Sequence, residues 1–89
     1  MKKISVSNQC KRDIRSHYLQ LITSEWAEVL HTLCQGLPLP ERYRDHALSG
    51  DLQGLRDCHV KPDLVLLYRR GEKAIELVRL GSHSELGIG

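Results

Sequence analysis

The stretch that decides the fold is residues 53–81, QGLRDCHVKPDLVLLYRRGEKAIELVRLG. Short apolar runs between turn residues predict three antiparallel strands here. The strands lie at about residues 53–60, 64–69 and 73–80, joined at Lys61-Pro62 and Arg70-Gly71-Glu72. Because residues 64–68 are continuously apolar, the second strand is predicted to be central and covered on both faces.

The first half of the chain predicts a short strand and two helices. Ile4 and Val6 alternate with serines, which is the period of a half-buried strand. Ser7 suits the N-cap of a first helix, and Thr23 or Ser24 that of a second. Apolar stripes at helical spacing run through Cys10, Ile14, Tyr18, Leu21 and Ile22, and then through Trp26, Val29, Leu30, Leu33 and Cys34.

The order of these elements predicts the fold class. Gly36 and the following Leu-Pro-Leu-Pro end the second helix, and Ser49-Gly50-Asp51 is a predicted turn. We expect one α+β domain over residues 1–89, in which an N-terminal strand and a helical hairpin pack on an antiparallel β-sheet meander.

Composition excludes several classes of protein. No apolar run reaches the ~18–20 residues of a membrane span, and no secretory h-region follows the N-terminal lysines. We therefore expect a cytoplasmic protein in which Cys10, Cys34 and Cys58 are reduced thiols. No two cysteines have the C-x₂₋₄-C spacing of structural zinc sites, so we expect no metal and no other cofactor.

Titratable side chains interrupt the predicted strands of the second half. They are His46, Arg56, Asp57, His59, Asp63, Arg79 and His83. Histidine both accepts and donates a proton near neutral pH, and arginine offers a permanent charge to a pentacoordinate phosphorane. This set of side chains indicates metal-free proton transfer at a phosphate, the chemistry of a ribonuclease.

Strand alternation places Asp57 and His59 on one face, where the carboxylate would fix the tautomer of the imidazole. Arg56 is predicted to point to the other face. The alternative is that Asp57 and His59 are solvated residues on an exposed face of the sheet. Arg79 is predicted to share a face with Ile75 and Leu77, and its guanidinium needs a partner there.

Two histidines lie outside this cluster. His17 and His31 fall in the predicted helices, and we expect both to be surface residues without a role in the site.

Separated motifs between residues 37 and 87 resemble the YafQ branch of the RelE toxin superfamily. They are LPLP at 37–40, YRDH at 43–46, GLRDCHV at 54–60, KPD at 61–63, LY at 67–68 and RLGSH at 79–83. The resemblance implies a RelE-like fold and a type II toxin. Such a toxin is a ribosome-dependent endoribonuclease that cuts translated mRNA and is neutralised by a cognate antitoxin.

The resemblance also implies the site. By position, His46, His59, Asp63 and His83 match the active-site residues of the branch, with Asp57 and Arg79 beside them. One histidine, assisted by Asp63 or Asp57, would deprotonate the 2′-OH, another would protonate the 5′-oxygen, and Arg79 would stabilise the phosphorane. Which histidine is base and which is acid stays open. We expect Asp57 and Arg56 to contact the substrate.

Two rival functions remain. A gyrase inhibitor of the ParE type would use the same scaffold without needing the histidines. The second rival is a catalytically weak paralogue that only binds an antitoxin. It stays open because residues 84–89 lack the aromatic residue with which the branch often ends. Residues 41–89 carry eight basic and eight acidic side chains. Because such a balanced charge attracts free RNA only weakly, we expect the ribosome to hold the RNA at the site.

Overall fold

The computed structural model describes residues 1–88, which form a five-stranded mixed sheet and three α-helices. The elements are β1 (Lys3–Val6), α1 (Asn8–Leu21), α2 (Ser24–Cys34), β2 (His46–Ala47), β3 (Arg56–Lys61), β4 (Leu64–Arg70), β5 (Ala74–Gly81) and α3 (His83–Leu86). Two 3₁₀ turns, Glu41–Tyr43 and Gly50–Leu52, flank β2.

The strand order in the sheet is β1-β5-β4-β3-β2, so β4 is central. The meander β3-β4-β5 is antiparallel, as predicted. β1 extends it by pairing in parallel with β5, and β2 pairs with β3 at the other edge. The predicted α+β class is confirmed, and the short strand β2 is an addition that the sequence analysis missed.

The helices begin at the predicted caps. Ser7 Oγ accepts a hydrogen bond from the amide of Cys10 at 3.0 Å, and Thr23 Oγ1 accepts one from the amide of Trp26 at 3.3 Å. Each cap satisfies an amide that has no partner within its helix. Within residues 1–88, no helix is both long and apolar enough to cross a membrane.

The core lies between the helical hairpin and one face of the sheet. Its buried members are Cys10, Val29, Leu33, Tyr43, Cys58, Val60, Leu64, Leu66, Tyr68, Ile75, Leu77 and Leu80. All three cysteines are free and buried. Burial raises the pKa of the Cys10 thiol to about 11 and also raises that of Cys58, so these thiols are packing residues rather than nucleophiles.

A β-bulge at Val78 changes the alternation of β5. Leu67 pairs with Arg79 and Tyr68 with Leu77, so Val78 has no partner on β4. The extra residue shifts the side chains beyond it by one position. Leu80 therefore joins Leu77 in the core, and the prediction that Arg79 shares a face with Ile75 and Leu77 is wrong.

Candidate active site

The predicted site residues gather on the sheet face opposite the core. Cross-strand pairing aligns His46, Asp57, Leu67 and Arg79 in one row, and His59, Val65 and Gly81 in the next. Directly paired residues on antiparallel strands project to the same face. One face of the sheet thus carries two histidines, a carboxylate and a guanidinium, with Asp63 and His83 at its end.

Asp57 is the buried centre of this group, with only 4% of the residue exposed. Its Oδ1 lies 3.5 Å from Nε2 of His59, and its Oδ2 lies 3.9 Å from Nε2 of His46. Oδ1 has no hydrogen-bond partner among residues 1–88. The alternative that Asp57 and His59 are solvated residues on an exposed face is therefore wrong, because Asp57 is buried and the side chain of His59 is only 20% exposed.

His46 has a defined tautomer. Its Nδ1 lies 2.8 Å from the carbonyl oxygen of Arg44, and since a carbonyl only accepts, Nδ1 must carry the proton. Nε2 is then the atom that gains and loses a proton, and it is the atom that faces Asp57.

His83 is the first residue of α3 and is held from two sides. Ser82 caps the helix in a capping box with Glu85. Asp63, in the turn between β3 and β4, accepts hydrogen bonds from the amide of His83 at 3.1 Å and from its Nδ1 at 2.9 Å. The bond from His83 lowers the pKa of the Asp63 carboxyl. Nε2 of His83 is left available for proton transfer.

His59 completes the cluster. Its ring meets that of His83 edge to face, with the centroids 4.9 Å apart. Burial lowers the pKa of His59, and the nearby charges of His83, Arg44 and His46 lower it further, while Asp57 opposes them. His59 is therefore a neutral imidazole near neutral pH, the state of a general base.

Arg79 shares the face but has its own partner. Its Nε donates to Oδ2 of Asp13 on α1 at 2.8 Å, and the amide of Leu80 donates to the same oxygen at 3.0 Å. Burial alone would raise the pKa of Asp13, but the hydrogen bonds from Arg79 and Leu80 outweigh it and lower the value. Sequence reasoning missed Asp13, since 66 residues separate it from Arg79.

Arg56, which we expected to contact substrate, does not join the cluster. It pairs with Tyr68 across the sheet, on the core face. Its Nε and Nη2 donate to the Asp45 carboxylate at 3.1 and 3.3 Å, and the hydroxyl of Tyr68 donates to the same group. Arg56 therefore anchors the loop that carries His46.

The two helical histidines behave differently. His31 is exposed, as predicted. The prediction that His17 is a surface residue is wrong, because its side chain is only 16% exposed and its Nε2 lies 3.1 Å from Oε1 of Glu85. Since Glu85 belongs to the capping box of α3, His17 supports the helix that begins with His83.

Across residues 1–88, no three His, Cys, Asp or Glu side chains are arranged to hold a metal ion. The groups brought together are three imidazoles, each with a carboxylate oxygen within 4 Å. Imidazoles beside carboxylates are groups suited to proton transfer.

Comparisons with known proteins identify the family. Residues 2–87 match the family described as the bacterial toxin of type II toxin–antitoxin systems, YafQ. A YafQ toxin of Haemophilus influenzae is 47% identical over 97% of this chain and 92% of that protein.

The mRNA interferase toxin YafQ of Escherichia coli is 34% identical, over 96% of this chain and 95% of that protein. Its structure in the DinJ–YafQ complex superposes with a TM-score of 0.83, covering 97% of this chain and 98% of that one. A copper-bound mutant toxin from Helicobacter pylori, 38% identical, superposes with a TM-score of 0.88 over 97% of this chain and 99% of its own.

The family match spans nearly the whole chain, and the relatives are covered almost end to end. The five-stranded sheet with its three helices is the fold of those YafQ structures. The chain belongs to the YafQ family of type II toxin–antitoxin toxins.

Proposed function

We propose that this toxin is a metal-independent endoribonuclease that cuts mRNA on translating ribosomes. The observation that carries the proposal is that His46 and His59 share one sheet face, with His83 of α3 at its end, around two carboxylates. The naming of the E. coli relative as an mRNA interferase supports it. The balanced charge of residues 41–89 favours RNA that the ribosome presents over free RNA.

The reaction assigns one proton transfer to each of two rings. His59, whose pKa is lowered, takes the proton of the 2′-OH as the 2′-oxygen attacks the phosphorus. The bond from phosphorus to the 5′-oxygen then breaks, and Nε2–H of protonated His83 donates to that oxygen. Asp63 stabilises the imidazolium through the Nδ1–H bond. The products are a 2′,3′-cyclic phosphate, which hydrolyses to a 3′-phosphate, and a 5′-OH.

The remaining side chains act on charge. When both ring nitrogens of His46 carry a proton, its charge faces the phosphate, and Asp57, 3.9 Å away, balances that charge. Arg79 lies two strands from Asp57 on the same face, roughly 10 Å away, and adds a permanent charge to the developing phosphorane. A cognate antitoxin, as DinJ is in the DinJ–YafQ complex, is the proposed protein partner, and the cytoplasm the proposed location.

The test compares His83→Ala with a matched control. His83→Ala is expected to lower the rate of mRNA cleavage on purified translating ribosomes by about 10²–10⁴-fold, the contribution of one placed acid or base. Its melting temperature is expected to stay near wild type, because the ring contributes nothing to the core. His31→Ala, an exposed histidine in α2, is the control and should cleave at the wild-type rate.

Mapping the 5′ ends of cleaved message on ribosomes and on naked RNA completes the test. Equal rates on both would refute ribosome dependence. If the wild-type toxin arrests growth while message stays intact and DNA supercoiling fails, the gyrase alternative is correct instead.

A further inference from the structure

An open cleft of ≈ 510 Å³ starts at His59 and His83 and extends away from them toward α2. Three cations, Arg42, Arg44 and Lys61, and one carboxylate, Glu25, line it, so that cations outnumber anions. None of these cations gives or takes a proton in the proposed reaction, although the charge of Arg44 contributes to the lowered pKa of His59. An RNA chain that enters the site has phosphates on both sides of the cleaved one, so a cationic cleft beside the histidines is suited to hold a neighbouring phosphate.

Two of the three cations already have partners. Arg42 donates to Glu28 and lies against the hydroxyl of Tyr43. Lys61 has Nζ 3.8 Å from Oε1 of Glu25, a loose contact. Among residues 1–88, Arg44 is absent from every ion pair. The charge of Arg44 is therefore available to a phosphate that binds in this cleft.

The backbone of Arg44 is unusual. With φ 50° and ψ 40° it is the one non-glycine residue in the left-handed region within residues 1–88. Glycine adopts this conformation at no steric cost, whereas a residue with a side chain rarely does. The conformation ends the 3₁₀ turn Glu41–Tyr43 and directs the carbonyl of Arg44 to Nδ1 of His46.

We propose that Arg44 binds a non-scissile phosphate of single-stranded RNA in this cleft, with Lys61 beside it. Resting on the proposed function, this assigns Arg44 two roles. Its guanidinium holds the substrate chain, and its carbonyl holds His46 in the Nδ1–H tautomer. An occupied subsite therefore positions the RNA against the same loop that carries one of the three rings.

The backbone conformation makes the two roles separable. Arg44→Gly retains the left-handed conformation and the carbonyl, so the tautomer of His46 is kept while the guanidinium is lost. Arg44→Lys keeps the charge but not the planar fork. Arg69→Ala removes an exposed arginine that pairs with Glu76 in the β4–β5 hairpin and is the matched charge control.

Two measurements are made with each variant. The first is cleavage kinetics on translating ribosomes. The second is affinity for ribosomes carrying an mRNA with 2′-deoxyribose throughout its coding region, which lacks the attacking hydroxyl. Arg44→Gly is expected to raise KM and Kd about tenfold or more, as expected for a charge-assisted hydrogen bond, with kcat at the pH optimum retained. The acid limb of the pH profile should move slightly upward, because the charge of Arg44 no longer lowers the pKa of His59. The slope of log Kd against log salt should fall by about 0.7.

Arg44→Lys should recover part of the affinity, and Arg69→Ala should match wild type. A wild-type KM, Kd and salt slope for Arg44→Gly would overturn the subsite and leave the proposed function standing. A shift in the pH profile with KM and Kd unchanged would mean that Arg44 acts only on His46 and His59, and would likewise overturn the subsite. If wild type cleaves no message, the proposed function fails, and Kd with its salt slope still decides the subsite.

Discussion

Hydrogen bonds to Asp45 attach the loop that carries Arg44 and His46 to the core. The substitution Tyr68→Phe tests how much one of these bonds contributes to stability. The Asp45 side chain is 13% exposed, and its carboxylate accepts from the hydroxyl of Tyr68 and from Nε and Nη2 of Arg56. Tyr68 itself is fully buried. Removing its hydroxyl leaves the carboxylate with the hydrogen bonds from Arg56 and with Nη2 of Arg70 at 4.0 Å.

The expected loss follows from these contacts. A hydrogen bond to a charged group contributes about 1.5–3 kcal/mol. Because Arg56 still solvates Asp45, we expect the lower end, about 1.5 kcal/mol. In a domain of this size, each kcal/mol shifts the melting temperature by about 4–8 °C, so Tyr68→Phe should melt about 6–12 °C below wild type.

The effect should reach activity although Tyr68 touches no site histidine. A looser loop displaces His46, and a displacement of about 1 Å costs up to about 10²-fold in rate. Urea unfolding followed by circular dichroism measures the stability, and cleavage on translating ribosomes measures the activity.

The control is Tyr18→Phe, which removes the same hydroxyl from a ring that is 57% exposed on α1. It should change the free energy of unfolding by less than about 0.5 kcal/mol. A double-mutant cycle with Asp45→Asn should show coupling between the two sites. Wild-type stability of Tyr68→Phe, or additive losses in the cycle, would refute this account of the loop.

Three further outcomes are expected. The free energy of unfolding should fall as the pH rises above about 9, because the raised pKa values of Cys10 and Cys58 keep these thiols protonated in the folded state while the unfolded chain loses their protons; urea midpoints at pH 8 and pH 10 check the sign. Asp13→Ala should lower the free energy of unfolding by about 1–3 kcal/mol, since it leaves the amide of Leu80 and the guanidinium of Arg79 without their acceptor; a melting curve like that of wild type would contradict this. A transition-metal chelator, added with Mg²⁺ in excess so that ribosomes stay assembled, should leave the cleavage rate unchanged, and a loss that zinc or copper restores would contradict metal independence.

Local pattern was sufficient for most elements of the fold. The helix caps at Ser7 and Thr23 and the central position of β4 follow from neighbouring residues, and the structure has all of them. The parallel pairing of β1 with β5 was not predictable in this way, because the two paired strands lie near opposite ends of the sequence.

In the candidate site, too, local pattern predicted some features and long-range contacts determined the others. Alternation along β3 was sufficient to place Asp57 and His59 together and Arg56 on the other face. The partners that define the chemistry are distant in sequence or belong to the backbone: Asp13 for Arg79, and the carbonyl of Arg44 for His46. A carbonyl carries no sequence signal, so the tautomer of His46 depended on the fold.

The bulge at Val78 makes β5 unevenly sensitive to changes in chain length. The hydroxyl of Ser7 donates to the carbonyl of Val78 at 2.7 Å, so the bulge also holds the start of α1. Deleting Val78 would make the strand alternate regularly, with Leu77 and Leu80 still facing inward and Arg79 outward. Deleting Glu76, two positions away, would instead reverse the faces on one side of the gap. In a library of single-codon deletions, the codon for Val78 is therefore a position within β5 at which the two faces of the sheet survive the loss of a residue.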